Sequence, residues 1–177
     1  MTRQQRLTLI ATILGSTVVF LDATIVNVAL PAIGRELDAG LAGQQWVLEA
    51  YMLTMVSLLL VGGSLGDQFG RRRLFVIGLI AFGATSILCA LAPSLLVLIL
   101  GRAVQGFGGG SLILLAMTVL GDIAAPKDRA KYYTYFVIVF ASSGALGPAL
   151  GGFFAQYLDW TVIFWINLPL GLLSFLI

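Results

Sequence analysis

The stretch that decides the fold is a polar segment between two long apolar runs, Gly62-Gly63-Ser64-Leu65-Gly66-Asp67-Gln68-Phe69-Gly70-Arg71-Arg72-Arg73. Glycine adopts backbone angles that other residues avoid, so Gly66 and Gly70 predict a turn that contains Asp67. Arginine is strongly disfavoured in hydrocarbon, and short cytoplasmic loops accumulate positive charge. The segment therefore predicts a turn at the cytoplasmic surface of a membrane, between two membrane-spanning helices.

The composition of the whole chain is that of a membrane protein. Of its 177 residues, 59% are apolar and 10% are charged, whereas about 25% of the residues in a soluble domain are charged. Six spans of roughly 20 residues each would take up most of the chain. Charges this sparse predict no nucleic-acid partner. Cys89 is the single cysteine and histidine is absent, so we expect no intrachain disulfide, no metal site and no cofactor.

The basic residues fall mainly into three groups that alternate with poorly charged loops. The groups are Arg3 and Arg6; Arg71, Arg72 and Arg73; and Lys127, Arg129 and Lys131. The positive-inside rule places all three groups, and with them the N-terminus, in the cytoplasm. The first apolar run imitates a signal peptide, but it continues past Asp22 without a persuasive cleavage site, so we interpret it as the first span.

The apolar runs predict an all-α membrane bundle of six helices. Their approximate bounds are 7–30, 45–65, 74–92, 95–120, 132–154 and 160–177. Pro31 is expected to end the first helix, because proline lacks a backbone N–H and fixes φ. Tyr51 is expected near the outer interface, where amphipathic rings are common. The third helix holds no feature apart from Cys89 and is expected to pack on the outside of the bundle.

Two acids lie in the apolar runs. Asp22 is about fifteen residues into the first span, and a rise of 1.5 Å per residue places it inside the hydrocarbon region. A carboxylate there is costly unless it faces protein or water, so Asp22 is either a functional acid or a structural acid paired with a neighbouring helix. Glu49, about one turn inside the second span, either faces a central cavity or extends to the outer headgroups.

The fourth and fifth spans carry the remaining features. Arg102 lies in the fourth span with Gln105 one turn further on, and a guanidinium with five permanent donors needs acceptors in the interior. The glycines at 106 and 108–110 permit close helix packing, which by itself accounts for them. In the fifth span, Pro148 between Gly147 and Gly151 predicts a kinked helix with a flat face.

Several of these segments resemble motifs of the major facilitator superfamily of secondary transporters. They are Gly63 to Arg72 between helices 2 and 3, Arg102-x-x-Gln105-Gly106 in helix 4, the connector Pro126-x-x-Arg129, Gly144 to Gly152 in helix 5, and Trp160 to Gly171 in helix 6. Leu21 to Pro31 is similar to the helix 1 motif of the drug:proton antiporter family with fourteen spans. Gln68 departs from the family pattern, where a basic residue is usual, and so do Thr161 and Val162, where Arg and Trp are common.

The resemblance implies a fold and a function. The fold is the N-terminal half of a transporter, built from two inverted three-helix repeats, with helices 1, 2, 4 and 5 lining a central passage. The function is export of lipophilic, often cationic compounds in exchange for protons across the plasma (inner) membrane, by alternating access between this half and a C-terminal half.

The resemblance also assigns roles to particular residues. Proton coupling is assigned to Asp22 and Arg102, because burial favours a protonated carboxyl group whereas a nearby guanidinium favours the carboxylate. The residues assigned to cavity lining are Asn27, Glu49 and Gln105. The residues assigned to the gate and the conformational switch are Gly63, Asp67, Gly70, Arg71, Gly147, Pro148 and Gly151.

Other classes of membrane protein stay open at this point. An oligomeric channel would need rings of pore-lining groups. An intramembrane enzyme would need a nucleophile with an activating base. Cys89 has no evident activating partner, and the chain contains no histidine. The 177 residues are also expected to be a fragment that is inactive without the C-terminal half, and the sequence does not name the cargo.

Overall fold

The computed structural model describes residues 3–177, apart from the side-chain surroundings of residues 61–63. These residues form long helices followed by a short helical pair. The elements are α1 (Arg3–Glu36), α2 (Leu41–Phe69), α3 (Arg71–Ala90), α4 (Leu95–Ile123), α5 (Arg129–Tyr157), α6 (Val162–Trp165) and α7 (Asn167–Leu176). Residues 3–177 contain no strand, which confirms the prediction of an all-α fold.

The distribution of polar and apolar side chains in the bundle is that of a protein surrounded by lipid. Among the described residues, α1, α3, α4 and α5 are each long and apolar enough to cross a membrane, and α6 with α7 forms a shorter apolar stretch, Val162–Leu176. Large apolar side chains such as Leu60 and Leu172 are exposed on the surface, whereas Asp22 and Arg102 are buried in the interior. Intramembrane charges that face the interior of a bundle are typical of membrane proteins.

Helix α4 is the centre of the bundle and contacts α1, α2 and α3. Its glycines allow close approach on two sides. A methyl group on Gly106 would overlap the backbone carbonyl of Tyr51 in α2, and a methyl group on Gly108 would lie 2.9 Å from the backbone oxygen of Gly78 in α3. The glycine run therefore lets α4 pack against two helix backbones at once.

Helix α5 packs against α1 through its own small residues. A methyl group on Gly147 would overlap the side chain of Thr24, and one on Gly151 would lie 2.9 Å from the backbone oxygen of Ile25. Pro148 lies on the exposed side of α5, within the helix. The flat face of α5 is thus its contact with α1.

The turn before the arginines is tighter than the sequence predicted. Helix α2 continues through Gly66 and Asp67 to Phe69, and Gly70 alone separates it from α3. Gly70 has φ 87°, a left-handed conformation that glycine adopts without steric penalty. Its N–H donates to the carbonyl oxygen of Gly66 at 3.1 Å. Asp67 and Arg71 consequently lie one helical turn apart across the junction.

Pro31 does not end α1, contrary to the prediction, and the helix continues to Glu36. Proline inside a helix removes one backbone donor and clashes with the preceding turn, at a cost of about 3 kcal/mol. The turn beyond it buries Ile33 in the apolar core, and burial of such a side chain stabilises by roughly 1.5–3 kcal/mol. Packing of this turn therefore offsets much of the cost of the proline, and the chain leaves the helix before Asp38, where φ is 49°.

Three further expectations are corrected. Helix α3 is not a featureless outer helix, because it buries Ser86 and Cys89 beside α4. Tyr51 is completely buried rather than interfacial. The sixth helix, expected to be continuous over 160–177, is interrupted at Ile166. Pro169 is the physical reason, since it has no N–H to donate to the carbonyl four residues earlier.

Replacing Gly106 by valine should destabilise the bundle, because the new side chain would meet the backbone of α2. Over-packing of a core costs roughly 1–3 kcal/mol. Gly152→Val is the matched control, since no described atom lies within 4 Å of a methyl group on Gly152. Thermal unfolding of the detergent-solubilised protein should give a lower Tm for Gly106→Val than for Gly152→Val, and equal values would contradict this packing.

Candidate functional site

A cluster of polar side chains lies in the middle of the bundle, shielded from solvent. Its members, called the central cluster below, are Asp22 of α1, Tyr51 of α2, Ser86 of α3, Arg102 and Gln105 of α4, and Asn167 at the start of α7. Each of them exposes at most 1% of its surface. The cluster forms because the otherwise apolar helices around α4 all present a polar residue at the same level.

Asp22 and Arg102 form an ion pair at the centre of this cluster. Nη1 of Arg102 donates to Oδ2 of Asp22 and also to Oε1 of Gln105, the latter at 2.7 Å. Nε of Arg102 donates to the carbonyl oxygen of Val47 at 3.4 Å, and the guanidinium carbon lies 3.9 Å from the centre of the Tyr51 ring. The guanidinium is held by an opposite charge, by hydrogen bonds and by an aromatic face.

The carboxylate of Asp22 also accepts hydrogen bonds from two side-chain amides. Its Oδ1 accepts from Nδ2 of Asn167 at 2.7 Å and from Nε2 of Gln105 at 3.4 Å. Both amides reach the hydroxyl oxygen of Ser86 as well, Asn167 at 3.2 Å and Gln105 at 2.8 Å. Ser86 in turn donates to the backbone oxygen of Phe82 at 2.8 Å. These donors supply the hydrogen bonds that a buried carboxylate requires.

Two polar atoms of the central cluster have no hydrogen-bond partner within the described residues. They are the donor Nη2 of Arg102 and the acceptor Oδ1 of Asn167. Most buried polar groups in folded proteins are paired, so an unpaired one requires an explanation. The cluster therefore retains hydrogen-bonding capacity that its own side chains leave unused.

A second group of charges lies where the ends of α2, α3 and α4 meet. Arg71 donates to Oδ1 of Asp67 from Nη2 at 2.9 Å and from Nε at 3.3 Å, and Nη1 of Arg71 donates to Oδ2 of Asp122. These side chains are partly exposed, and surface ion pairs contribute little stability. Their effect is geometric, because Arg71 joins the last turn of α2 to the last turn of α4. Asp67, Arg71 and Asp122 are called the end network below.

The other predicted site residues lie elsewhere. Asn27 and Glu49 are exposed on the bundle surface, whereas Gln105, predicted to line a cavity, is inside the bundle beside Asp22. Gly63 belongs to residues 61–63, whose side-chain surroundings lie outside the described residues. In the described part of the chain, no three His, Cys, Asp or Glu side chains gather in one place.

Sequence reasoning assigned roles to Asp22, Arg102 and Gln105 but not to Ser86 and Asn167. Serine within a helix commonly bonds to its own backbone, so Ser86 gave no signal. Asn167 lies within the helix 6 segment from Trp160 to Gly171, whose motif predicts no contact for it. Its amide in an apolar span was the signal that could have identified it, since polar residues inside membranes usually face functional partners.

The long apolar helices and the buried ion pair define a class, namely all-α multi-pass membrane proteins. The chain belongs to the major facilitator superfamily, whose family model matches residues 12–177. This match confirms the resemblance that was drawn from the sequence motifs.

Curated relatives of the chain carry transporter names. The chain is 39% identical over 174 residues to multidrug transporter protein MdtP of Bacillus subtilis, an alignment that covers 97% of this chain and 32% of that protein. It is 39% identical over 178 residues to drug efflux pump JefA of Mycobacterium tuberculosis, which covers 100% of this chain and 35% of that protein. The chain thus spans about a third of the length of these relatives.

Solved structures share the fold at low sequence identity. A bacterial homolog of the human lysosomal transporter Spinster, in an inward-facing and unoccupied conformation, has a TM-score of 0.80 at 17% identity, covering 99% of this chain and 43% of that chain. A D-xylose-proton symporter also has a TM-score of 0.80, at 15% identity, covering 95% of this chain and 46% of that chain.

Removing one partner of the central ion pair should destabilise the protein more than removing both partners together. Arg102→Leu leaves the carboxylate of Asp22 buried without a counter-charge, and breaking a buried pair costs roughly 3–5 kcal/mol. The double variant Asp22→Leu/Arg102→Leu contains neither charge and should recover part of that loss. Thermal unfolding of both single variants and the double variant completes the cycle, and strictly additive losses would contradict a buried pair.

Proposed function

We propose that the chain is the N-terminal six-helix half of a proton-coupled exporter of lipophilic, often cationic compounds. The curated relatives support export of drug-like compounds, because they are named multidrug transporter and drug efflux pump. The share of their length that the chain spans leaves room for a C-terminal half, which would complete the central passage. The observation that carries proton coupling is the ion pair of Asp22 and Arg102, completely buried in an apolar bundle.

Charge and helix length support the orientation and the number of spans in this proposal. We count α1 to α5 and the α6–α7 pair as six spans. Helix α2 has 29 residues, about 43 Å at 1.5 Å per residue, which exceeds the hydrocarbon thickness of about 30 Å. The basic groups at the N-terminus, at Arg71 and before α5 then lie in the cytoplasm. The membrane is the plasma (inner) membrane.

The mechanism rests on exchange of a proton at Asp22. A proton neutralises the carboxylate, so the attraction to Arg102 is lost and the amides of Gln105 and Asn167 each lose a charged acceptor. The hydrogen bonds from Arg102, Gln105 and Asn167 to α1 are weakened together, because all three end on the carboxyl group of Asp22. Deprotonation restores them. The charge of one carboxyl group is thereby coupled to the relative positions of α1, α4 and α7.

A movement of α1 would be transmitted to the central passage through the helices that pack against α1. Gly147 packs against the side chain of Thr24 and Gly151 against the backbone of Ile25, so a shift of α1 is transmitted to α5 with little loss. Pro148, on the exposed side of α5, provides a point where the helix bends. Asn27 and Glu49, both on the bundle surface, are the polar groups proposed to line the passage against the C-terminal half.

Asp22→Asn should abolish proton-driven efflux by the complete transporter, because the amide cannot take up the proton that drives exchange. Asp38→Asn is the matched control, since Asp38 is an exposed loop acid with φ 49°, and asparagine tolerates this conformation equally well. The measurement is proton-gradient-dependent transport of a panel of lipophilic cations in inverted membrane vesicles.

A second assay distinguishes a specific loss of proton coupling in Asp22→Asn from misfolding of this variant. Asp22→Asn should still exchange cargo for cargo at equal pH on both sides, because this exchange requires no net proton transfer. Proton-driven efflux that survives in Asp22→Asn would contradict the proposed role of the carboxyl group.

We assign the end network to the cytoplasmic gate. Arg71 bridges Asp67 and Asp122 in this conformation, so it holds the ends of α2 and α4 together. Opening of the passage on that side requires the bridge to break or to exchange partners. The network would set how often the gate moves rather than how tightly cargo binds.

Asp67→Asn should therefore lower the maximal rate of efflux several-fold and leave the cargo concentration at half-maximal rate nearly unchanged. Arg72→Gln serves as the control, because it removes a neighbouring exposed charge that is not part of the end network. Transport rates measured over a range of cargo concentrations distinguish the two effects. A change confined to the half-maximal concentration would contradict a gating role.

A further inference from the structure

Two buried amides and two acceptors form a closed ring of hydrogen bonds in the central cluster. Nδ2 of Asn167 donates to Oδ1 of Asp22 at 2.7 Å and to Oγ of Ser86 at 3.2 Å. Nε2 of Gln105 donates to the same two oxygen atoms, at 3.4 Å and 2.8 Å respectively. Each amide nitrogen has two N–H donors, so both donors of both amides have an acceptor inside this ring.

The oxygen atoms of the two amides differ in their surroundings. Oε1 of Gln105 accepts a hydrogen bond from Nη1 of Arg102 at 2.7 Å. Oδ1 of Asn167 is buried and accepts no hydrogen bond from the described residues. A buried acceptor without a partner is costly, and this one belongs to the same amide that donates to Asp22.

A proton on Asp22 would create a donor that has no acceptor in the present arrangement. A carboxylate only accepts hydrogen bonds, whereas a protonated carboxyl group carries one O–H donor. Both oxygen atoms of Asp22 face N–H donors, Oδ1 those of Asn167 and Gln105, and Oδ2 that of Arg102. The protonated state therefore favours an arrangement in which one amide presents its oxygen to Asp22.

The amide of Asn167 can turn in this way, whereas that of Gln105 cannot do so without loss. A turn of Gln105 would direct its NH2 group at the N–H donor of Arg102. A turn of Asn167 breaks no hydrogen bond at Oδ1, since no described residue donates to it. The last side-chain torsion of asparagine is roughly two-fold, so a half-turn exchanges its oxygen and nitrogen in nearly the same space.

The half-turn also gives suitable geometry. Nδ2 of Asn167 lies 2.7 Å from Oδ1 of Asp22, and an oxygen in its place would lie at about the same distance. Hydrogen bonds between O–H donors and oxygen acceptors are typically about 2.7–2.8 Å long. The hydroxyl group of Ser86 can donate as well as accept, so it can also donate to the turned oxygen.

Other contacts hold α6 and α7 on α1 while this amide turns. Oγ of Ser174 donates to the backbone oxygen of Ala11 at 2.8 Å. Nε1 of Trp160 donates to Oε2 of Glu36 at 2.7 Å. These bonds lie on either side of Asn167 along the chain, so they keep its amide beside α1 in both charge states.

Other titratable groups face Asp22 from the neighbouring helices. They are Arg102 of α4, Tyr51 of α2 and Cys89 of α3. The hydroxyl group of Tyr51 donates to the backbone oxygen of Val19 at 3.2 Å. Residues 136–156 of α5 and 162–176 of α6 and α7 contain no titratable side chain. Asp22 is thus the carboxyl group of the central cluster, and Arg102 provides its permanent charge.

We propose that Asn167 is a positioning residue that responds to the protonation state of Asp22. Its amide donates to the carboxylate through Nδ2, and after a half-turn it accepts the O–H of the protonated carboxyl group through Oδ1. The proton stays on Asp22. The new hydrogen bond is neutral and weaker than the charged one it replaces, but it keeps α7 attached to α1 while the contacts of α4 with Asp22 are weakened. This inference rests on the proposed proton exchange at Asp22.

The test is infrared difference spectroscopy of the complete transporter between high and low pH, with and without carbon-13 in the asparagine side chains. Amide bands that move on labelling belong to asparagine, and those that Asn167→Leu removes belong to Asn167. A hydrogen bond lowers the C=O stretching frequency of its acceptor. The amide C=O band of Asn167 should therefore shift to lower wavenumber on acidification. Asn27→Leu is the matched control and should keep this shift, since Asn27 is exposed.

The carboxyl band of Asp22 provides a second readout. Asn167→Leu has a similar size but offers no acceptor, so the C=O band of protonated Asp22 should shift to higher wavenumber in this variant. Asn167→Thr retains a hydroxyl group that can accept, so it should return the carboxyl band toward its original position. Asn167→Thr also removes the amide band and therefore assigns that band independently of Asn167→Leu.

The possible outcomes separate this inference from the proposed function. A carboxyl band of Asp22 without a shift of the Asn167 amide, or with a shift to higher wavenumber, would overturn the half-turn and leave proton exchange intact. A carboxyl band at the same position with asparagine and with leucine at 167 would do the same. Absence of any carboxyl band from Asp22 on acidification would overturn both proposals.

Discussion

The ion pair between Asp22 and Arg102 is the constraint on which the rest of the structure depends. Two opposite charges inside an apolar bundle are tolerated only when the polar atoms around them are hydrogen-bonded. The partners come from different helices, with Ser86 on α3, Gln105 on α4 and Asn167 on α7. Their convergence fixes the depth and the rotation of these helices relative to α4. As a result, solvent does not reach the centre of the bundle.

Close packing makes this convergence possible. Side chains larger than hydrogen at Gly106 or Gly108 would hold α2 and α3 away from α4, and the short amides and hydroxyl could then no longer reach one another. The same packing shields Asp22 from solvent, so exchange of a proton at this carboxyl group requires helices to move. In the proposed mechanism that requirement is what links proton binding to the opening and closing of the passage.

Much of this arrangement could be predicted from the sequence. Asp22 and Arg102 stand out because ionisable residues are rare in apolar spans, and the motif around Gly70 indicated the helix junction. Other features depend on contacts that no local pattern contains. Pro31 stays within α1 because Ile33 beyond it is buried. Ser86 joins the central cluster only because α3 turns it toward α4, and Asp122 reaches Arg71 only because α3 packs against α4.

The measurement that tests the account most directly is infrared difference spectroscopy of the complete transporter, in which the C=O stretch of a protonated carboxyl group is followed between high and low pH. The account predicts one carboxyl band from a water-poor environment that appears on acidification, is absent in Asp22→Asn and remains in Asp38→Asn. A band that persists in Asp22→Asn would contradict the claim that the acid paired with Arg102 exchanges the proton.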